Sequence, residues 1–170
     1  SAAAAWLRME KNLTRTDAIR RLDCRIRRAE VAILTGDEEQ ARVLIDSISA
    51  DPLTNLDPLL QARADVLRAT MLEVERQIGP ALKIYADIYG RADELPRGFV
   101  GLLQLRMARS LVRASPQAGL RRVRAAYDLL VASLHPDAEG LALSQLAVMA
   151  LILRRPEIAA LAAHEAELWR

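Results

Sequence analysis

Between Glu94 and Asp128 the chain carries no acidic residue, yet it holds Arg97, Arg106, Arg109, Arg113, Arg121, Arg122 and Arg124. Arg106, Arg109 and Arg113 follow one another at intervals of three and four, the spacing that puts side chains on one face of a helix. Such a face attracts anions: acidic peptide segments, phosphate or nucleic acid. The plainer reading is a solvated or ion-paired face that meets acids of neighbouring helices, such as Asp65, Glu73 or Asp87. A second basic run, Arg20, Arg21, Arg25, Arg27 and Arg28, has Asp17, Asp23 and Glu30 interleaved. Pairing within that run is therefore expected. Neither run has the lysines and clustered aromatics of a base-stacking surface, so a nucleic-acid partner is not expected.

The rest of the chemical inventory is thin. There are two histidines, one cysteine and no glycine-rich phosphate loop. His135, before Pro136-Asp137, reads as a turn residue at a helix end, where an imidazolium suits the dipole. His164 reads as a surface or interface side chain, and no spacing gathers further ligands around either imidazole. Arg25 and Arg28 could lower the pKa of Cys24, but with no histidine at a readable spacing the thiol reads as buried and inert. A lone cysteine also excludes an internal disulfide and a multi-cysteine zinc site. Asp37-Glu38-Glu39 is the acid enrichment that suits a helix start. No catalytic, cofactor or metal site is expected, and the chain does not read as an enzyme.

The elements that must position these residues are helices. Hydrophobic residues make up 52% of the 170 and aromatics only 4%, with alanine and leucine supplying most of the apolar count, a mixture that favours helix. No alternating β-branched run bounded by turn signals points to a strand. Net charge is +2, which selects no partner. The longest uncharged run, Gly140–Leu153, is too short for a membrane span. The amino end does not read as a signal peptide. Opening on Ser1, the chain reads as a segment of a longer protein, so the missing signal does not fix its compartment.

Proline disrupts helix interiors, yet six of the seven prolines fall on expected helix boundaries or just inside a helix start, and Pro52 follows an end. Asp57-Pro58 and Ser115-Pro116 pair an N-cap with proline at the first helical position. Gly36 supplies a left-handed stop, Asp37 the next cap, and Gln40 a capping-box spacing. After one short helix over residues 2–13, first helices of pairs begin near 16, 57, 98 and 137. Second helices begin near 37, 79, 115 and 155. Both series step by about 40 residues, the beat of a helical-hairpin solenoid. The faces expected inside include Ile19, Leu22, Ile26, Ala29 and Ile33, then Ala41, Leu44, Ile45 and Ile48, and later Leu120, Val123, Tyr127, Leu130 and Leu134.

Gly36-Asp37 followed by Ala41, with Ile45 four later and Pro52 beyond, resembles the second half of a tetratricopeptide repeat. Ala81 with Tyr85, and Val123 with Tyr127, echo its small-then-large pair. The period is nearer 40 than 34, and the tryptophan and second glycine usual in the first helix are missing. The resemblance covers residues 16–170 by period and is motif-specific only over 35–52. It implies an all-α, right-handed superhelix of about four hairpins over a single domain, 1–170, with a concave surface for a protein or peptide. Divergent arrays of this class occur in sensor arms of bacterial regulators and in assembly scaffolds.

The expectation is a non-catalytic interaction scaffold. Arg63, Arg106, Arg109, Arg113 and Gln145, all on first helices, are the candidate partner-binding residues, and the partner is expected to be acidic. The helix around Leu141–Ile152 is apolar almost all round and needs cover on several sides. The array also ends on Leu168-Trp169 without a polar capping helix, which marks these two for self-association. The alternative is a regulatory arm that binds a small anion or nucleic acid through Arg97–Arg124.

Overall fold

The computed structural model describes residues 2–12, 17–136 and 138–154. Among these are eight α-helices and no strand: α1 (Ala2–Asn12), α2 (Ala18–Thr35), α3 (Glu38–Ser49), α4 (Pro58–Val74), α5 (Ile78–Tyr89), α6 (Arg97–Leu111), α7 (Pro116–Ala132) and α8 (Ala138–Ile152). The chain divides into two compact units, Ser1–Ile88 and Tyr89–Arg170.

Helix boundaries follow from local chemistry. The Asp37 carboxylate accepts the Gln40 N–H at 3.1 Å, and Asp57 accepts those of Leu59 and Leu60 at 2.8 and 3.0 Å. The Ser115 hydroxyl accepts the Ala118 N–H at 3.3 Å. Each cap satisfies donors that the first helical turn leaves unpaired. Gly36 closes α2 with φ 75°, and the N–H of Asp37 reaches back to the Ala32 carbonyl at 2.9 Å. The same stop recurs without glycine. Arg76 (φ 64°) follows α4 with Gln77 N–H on the Leu72 carbonyl at 2.7 Å, and Leu134 (φ 56°) follows α7 with His135 N–H on the Leu130 carbonyl at 3.0 Å. The glycine turn seen once in the sequence is thus a backbone motif used at least three times.

One connection was not foreseen. After α3 the chain makes a 3-10 turn, Pro52–Asn55, capped by Asp51. Thr54 is buried within it and donates its hydroxyl to the Ile48 carbonyl at 2.6 Å. Arg25 holds the same turn, bonding Asp51 at 2.6 Å.

Buried positions repeat with the helices. Four places after the first residue of α2, α4, α6 and α8 stand Leu22, Ala62, Gly101 and Ala142; eleven places after stand Ala29, Ala69, Ala108 and Met149. All eight are buried. Three places after the first residue of α3, α5 and α7 stand Ala41, Ala81 and Gly119, and seven places after stand Ile45, Tyr85 and Val123. The small-then-large pair of α7 is therefore Gly119 with Val123. Val123 with Tyr127 is one turn out of register, and Leu120, Tyr127 and Leu134 are exposed rather than core. Ile19, also expected inside, is exposed as well.

In the first unit, α2 packs on α1 and α3, and α4 packs on both α2 and α3. Leu22, Ile26, Ala41, Ile45, Leu60, Leu67 and Met71 belong to the resulting core. In the second, α6 lies along α7, and α8 touches both. Contacts within each unit thus join neighbours in sequence and successive first helices. Glycine makes the α6–α7 approach possible: a Cβ on Gly101 would stand 2.8 Å from Leu130 Cγ, and one on Gly119 would stand 3.2 Å from the Ala108 carbonyl oxygen.

Candidate functional site

Helix α6 has two contrasting sides. Val100, Gly101, Leu103, Gln104, Leu105, Met107 and Ala108 are buried. On the opposite side, Leu102, Arg106 and Arg109 run toward Arg113, just past the helix end. Leu102, Arg109 and Arg113 are exposed and Arg106 is half-buried. The expected clustering on one helical side is what the backbone produces. Arg109 sits in the last turn, where a cation complements the helix dipole. Arg97, Arg121 and Arg124 are exposed as well. The charge is unequal between the units: Ser1–Ile88 contains 13 basic and 14 acidic residues, Tyr89–Arg170 contains 11 and 8.

The other candidates stand elsewhere. Arg63 on α4 bonds Asp23 of α2 and lies 3.7 Å from Glu30, with its side chain only 16% exposed. Asp23 and Arg63 occupy the same place in successive first helices, so this contact ties one hairpin to the next. Arg63 Nη1 is committed to Asp23, and its Nη2 is buried with no hydrogen-bond partner among the described residues. Gln145 on α8 has its amide nitrogen buried with no hydrogen-bond partner among the described residues. The helix expected from Pro156, with His164, Leu168 and Trp169, lies outside the described residues, and so does the self-association assigned to its end. The earlier arginine run does pair internally: Arg20 with Asp17 at 3.5 Å and Arg27 with Glu30 at 3.4 Å.

Gln104 escaped the sequence reading, and Arg122 was read only as one of the basic run. Gln104, 1% exposed, lies at the centre of the buried side of α6. Its Oε1 accepts a hydrogen bond from Arg122 Nη1 of α7 at 2.9 Å. The Arg122 guanidinium carbon stands 5.0 Å from the centroid of the Tyr89 ring, a distance at which cation and ring quadrupole attract. A recess of about 330 Å³ opens beside them. The signal in the sequence was an amide in an otherwise apolar stripe, at the same place in α6 that Gln145 holds in α8.

Cys24 is buried and His135 half-buried. Among the described residues no three His, Cys, Asp or Glu side chains gather as a metal site would need, and no helix is long and apolar enough to cross a membrane. Fold and surface together define an all-α protein of helical hairpins with a basic second unit. No family model, curated protein or solved structure matches the chain.

Proposed function

We propose that this chain is a non-catalytic, tetratricopeptide-like interaction module that takes an acidic segment of a partner protein along the exposed side of α6. The observation that carries the reading is the strip Leu102, Arg106, Arg109 and Arg113, which lies opposite the buried side of a first helix. An apolar residue leading three guanidiniums suits a segment that mixes carboxylates with a hydrophobic anchor. Guanidinium forks recognise carboxylates bidentately, which gives register as well as attraction. The recurrence of buried places every 40 residues or so supports helical hairpins stacked within each unit. Gln145 holds the place of Gln104 in α8 with its amide nitrogen buried, so it stands apart from this strip. Arg63 contributes by joining hairpins.

The experiment is a pull-down with the chain beside an Arg106, Arg109, Arg113→Glu triple variant. The acidic partner is expected on the first bait and lost from the second, with unchanged helicity by circular dichroism. A partner retained equally by both refutes this face. Salt separates a nucleic-acid ligand: its affinity falls with a log–log slope of about −0.9 per phosphate neutralised.

A further inference from the structure

The Arg122 side chain is held more firmly than a surface arginine needs to be. Burying an amide among apolar side chains is costly unless it is hydrogen-bonded, and Gln104 is buried with its Oε1 directed to this one guanidinium. The guanidinium carbon of the same group stands over the Tyr89 ring, 5.0 Å from its centroid. Ordering a long side chain on binding usually costs affinity, and here that cost is met before any ligand arrives.

The arrangement leaves specific donors unused. A guanidinium has five N–H groups in a fixed plane. Gln104 takes one from Nη1, so the edge formed by Nε and Nη2 stays whole for a bidentate carboxylate. Arg121 lines the same recess and is exposed, and no acidic side chain is among its lining residues that are described. From Arg97 to Tyr127 the chain carries no carboxylate. Leu111, Ala118 and Ala125 supply an apolar wall. The volume, about 330 Å³, falls at the lower end of the roughly 300–1,000 Å³ usual for small-molecule sites.

We infer that the recess between α6 and α7 binds a small organic carboxylate. Arg122 holds its two oxygens, Arg121 adds a second positive charge, and the apolar body lies against Leu111 and the two alanines. Phosphate is the poorer match, because the wall formed by Leu111, Ala118 and Ala125 offers no donors on the side away from the two arginines. The site uses the Gln104–Leu111 side of α6 and stands independently of the arginine strip on the opposite side. The triple glutamate variant therefore keeps it.

The test follows Arg Nε–Hε resonances of the full chain by NMR during titration with benzoate or hexanoate, with inorganic phosphate as the comparison anion. The Arg122 resonance is expected to shift in a saturable way, with Kd about 1 mM or tighter. Arg122→Lys, which keeps the charge and loses the fork, should weaken binding about tenfold or more. Gln104→Leu should weaken it while leaving the helical spectrum unchanged. No shift at Arg122 in the unaltered chain overturns the site without recourse to any variant. Binding of phosphate more tightly than both carboxylates overturns the ligand class, and undiminished binding by folded Gln104→Leu overturns the role of the anchored guanidinium.

Discussion

Gly101→Ala should destabilise the protein on its own and stabilise it in the presence of Leu130→Ala. The added Cβ would stand 2.8 Å from Leu130 Cγ, 3.0 Å from Cδ2 and 3.3 Å from the Ala126 carbonyl oxygen. Leu130 is fully buried, so it cannot turn out to solvent to make room. Overpacking of this kind costs about 1–3 kcal/mol. Replacing glycine in a helix interior returns about 1 kcal/mol, leaving a net loss of about 0–2 kcal/mol. Leu130→Ala alone opens a cavity beside Leu105, Val112 and Ala126 and should cost about 2–5 kcal/mol. In the double variant the clash with Leu130 is gone and only the 3.3 Å approach to the Ala126 carbonyl oxygen is left, the methyl introduced by Gly101→Ala fills part of the void, and the propensity gain remains. It should therefore exceed Leu130→Ala in stability by about 1 kcal/mol. Urea unfolding followed by far-UV circular dichroism, with equal m-values across the four proteins, measures the cycle. Additivity within about 0.5 kcal/mol would mean that α6 and α7 do not meet through Gly101.

The left-handed stops give a mirrored pair. Gly36 has nothing within 4 Å of an added Cβ, so Gly36→Ala should lose about 1 kcal/mol from conformation alone. Arg76, in the same backbone state (φ 64°), should gain a similar amount on substitution by glycine; thermal melts showing the same sign for both refute the equivalence. Arg63→Met should cost about 1–2 kcal/mol, at the lower end for a charged hydrogen bond because Asp23 and Glu30 remain partly exposed. An unchanged urea midpoint would show that the α2–α4 tie contributes nothing.

Helix starts were legible because proline and capping residues act over three or four positions. Pro58 and Pro116 stand at the first residue of α4 and α7, as Asp57-Pro58 and Ser115-Pro116 implied. What misled was size. The buried side of α7 is carried by Gly119, Val123, Ala126 and Leu130. Leu120, Tyr127 and Leu134, spaced by sevens, make a stronger hydrophobic signal on the exposed side. Hydropathy rewards large residues, whereas close helix approach selects small ones. The stops at Arg76 and Leu134 could not be read either, since nothing local marks a non-glycine residue for positive φ. Gln104 needed its partner, 18 positions on in another helix, before its polarity made sense.

Gln145 shows how far that last argument reaches. It holds the place in α8 that Gln104 holds in α6, yet its amide nitrogen is buried with no acceptor among the described residues. A buried donor left unpaired costs about 1–3 kcal/mol. Gln145→Leu removes the donor at nearly constant volume, so it should raise the melting temperature or leave it unchanged. Gln104→Leu removes the acceptor of the Arg122 bond and should cost about 1 kcal/mol. Differential scanning calorimetry of the two variants compares them directly. Equal destabilisation would mean that Gln145 has found an acceptor of its own. The two glutamines would then both be hydrogen-bonded within the fold, Gln104 through its oxygen and Gln145 through its nitrogen.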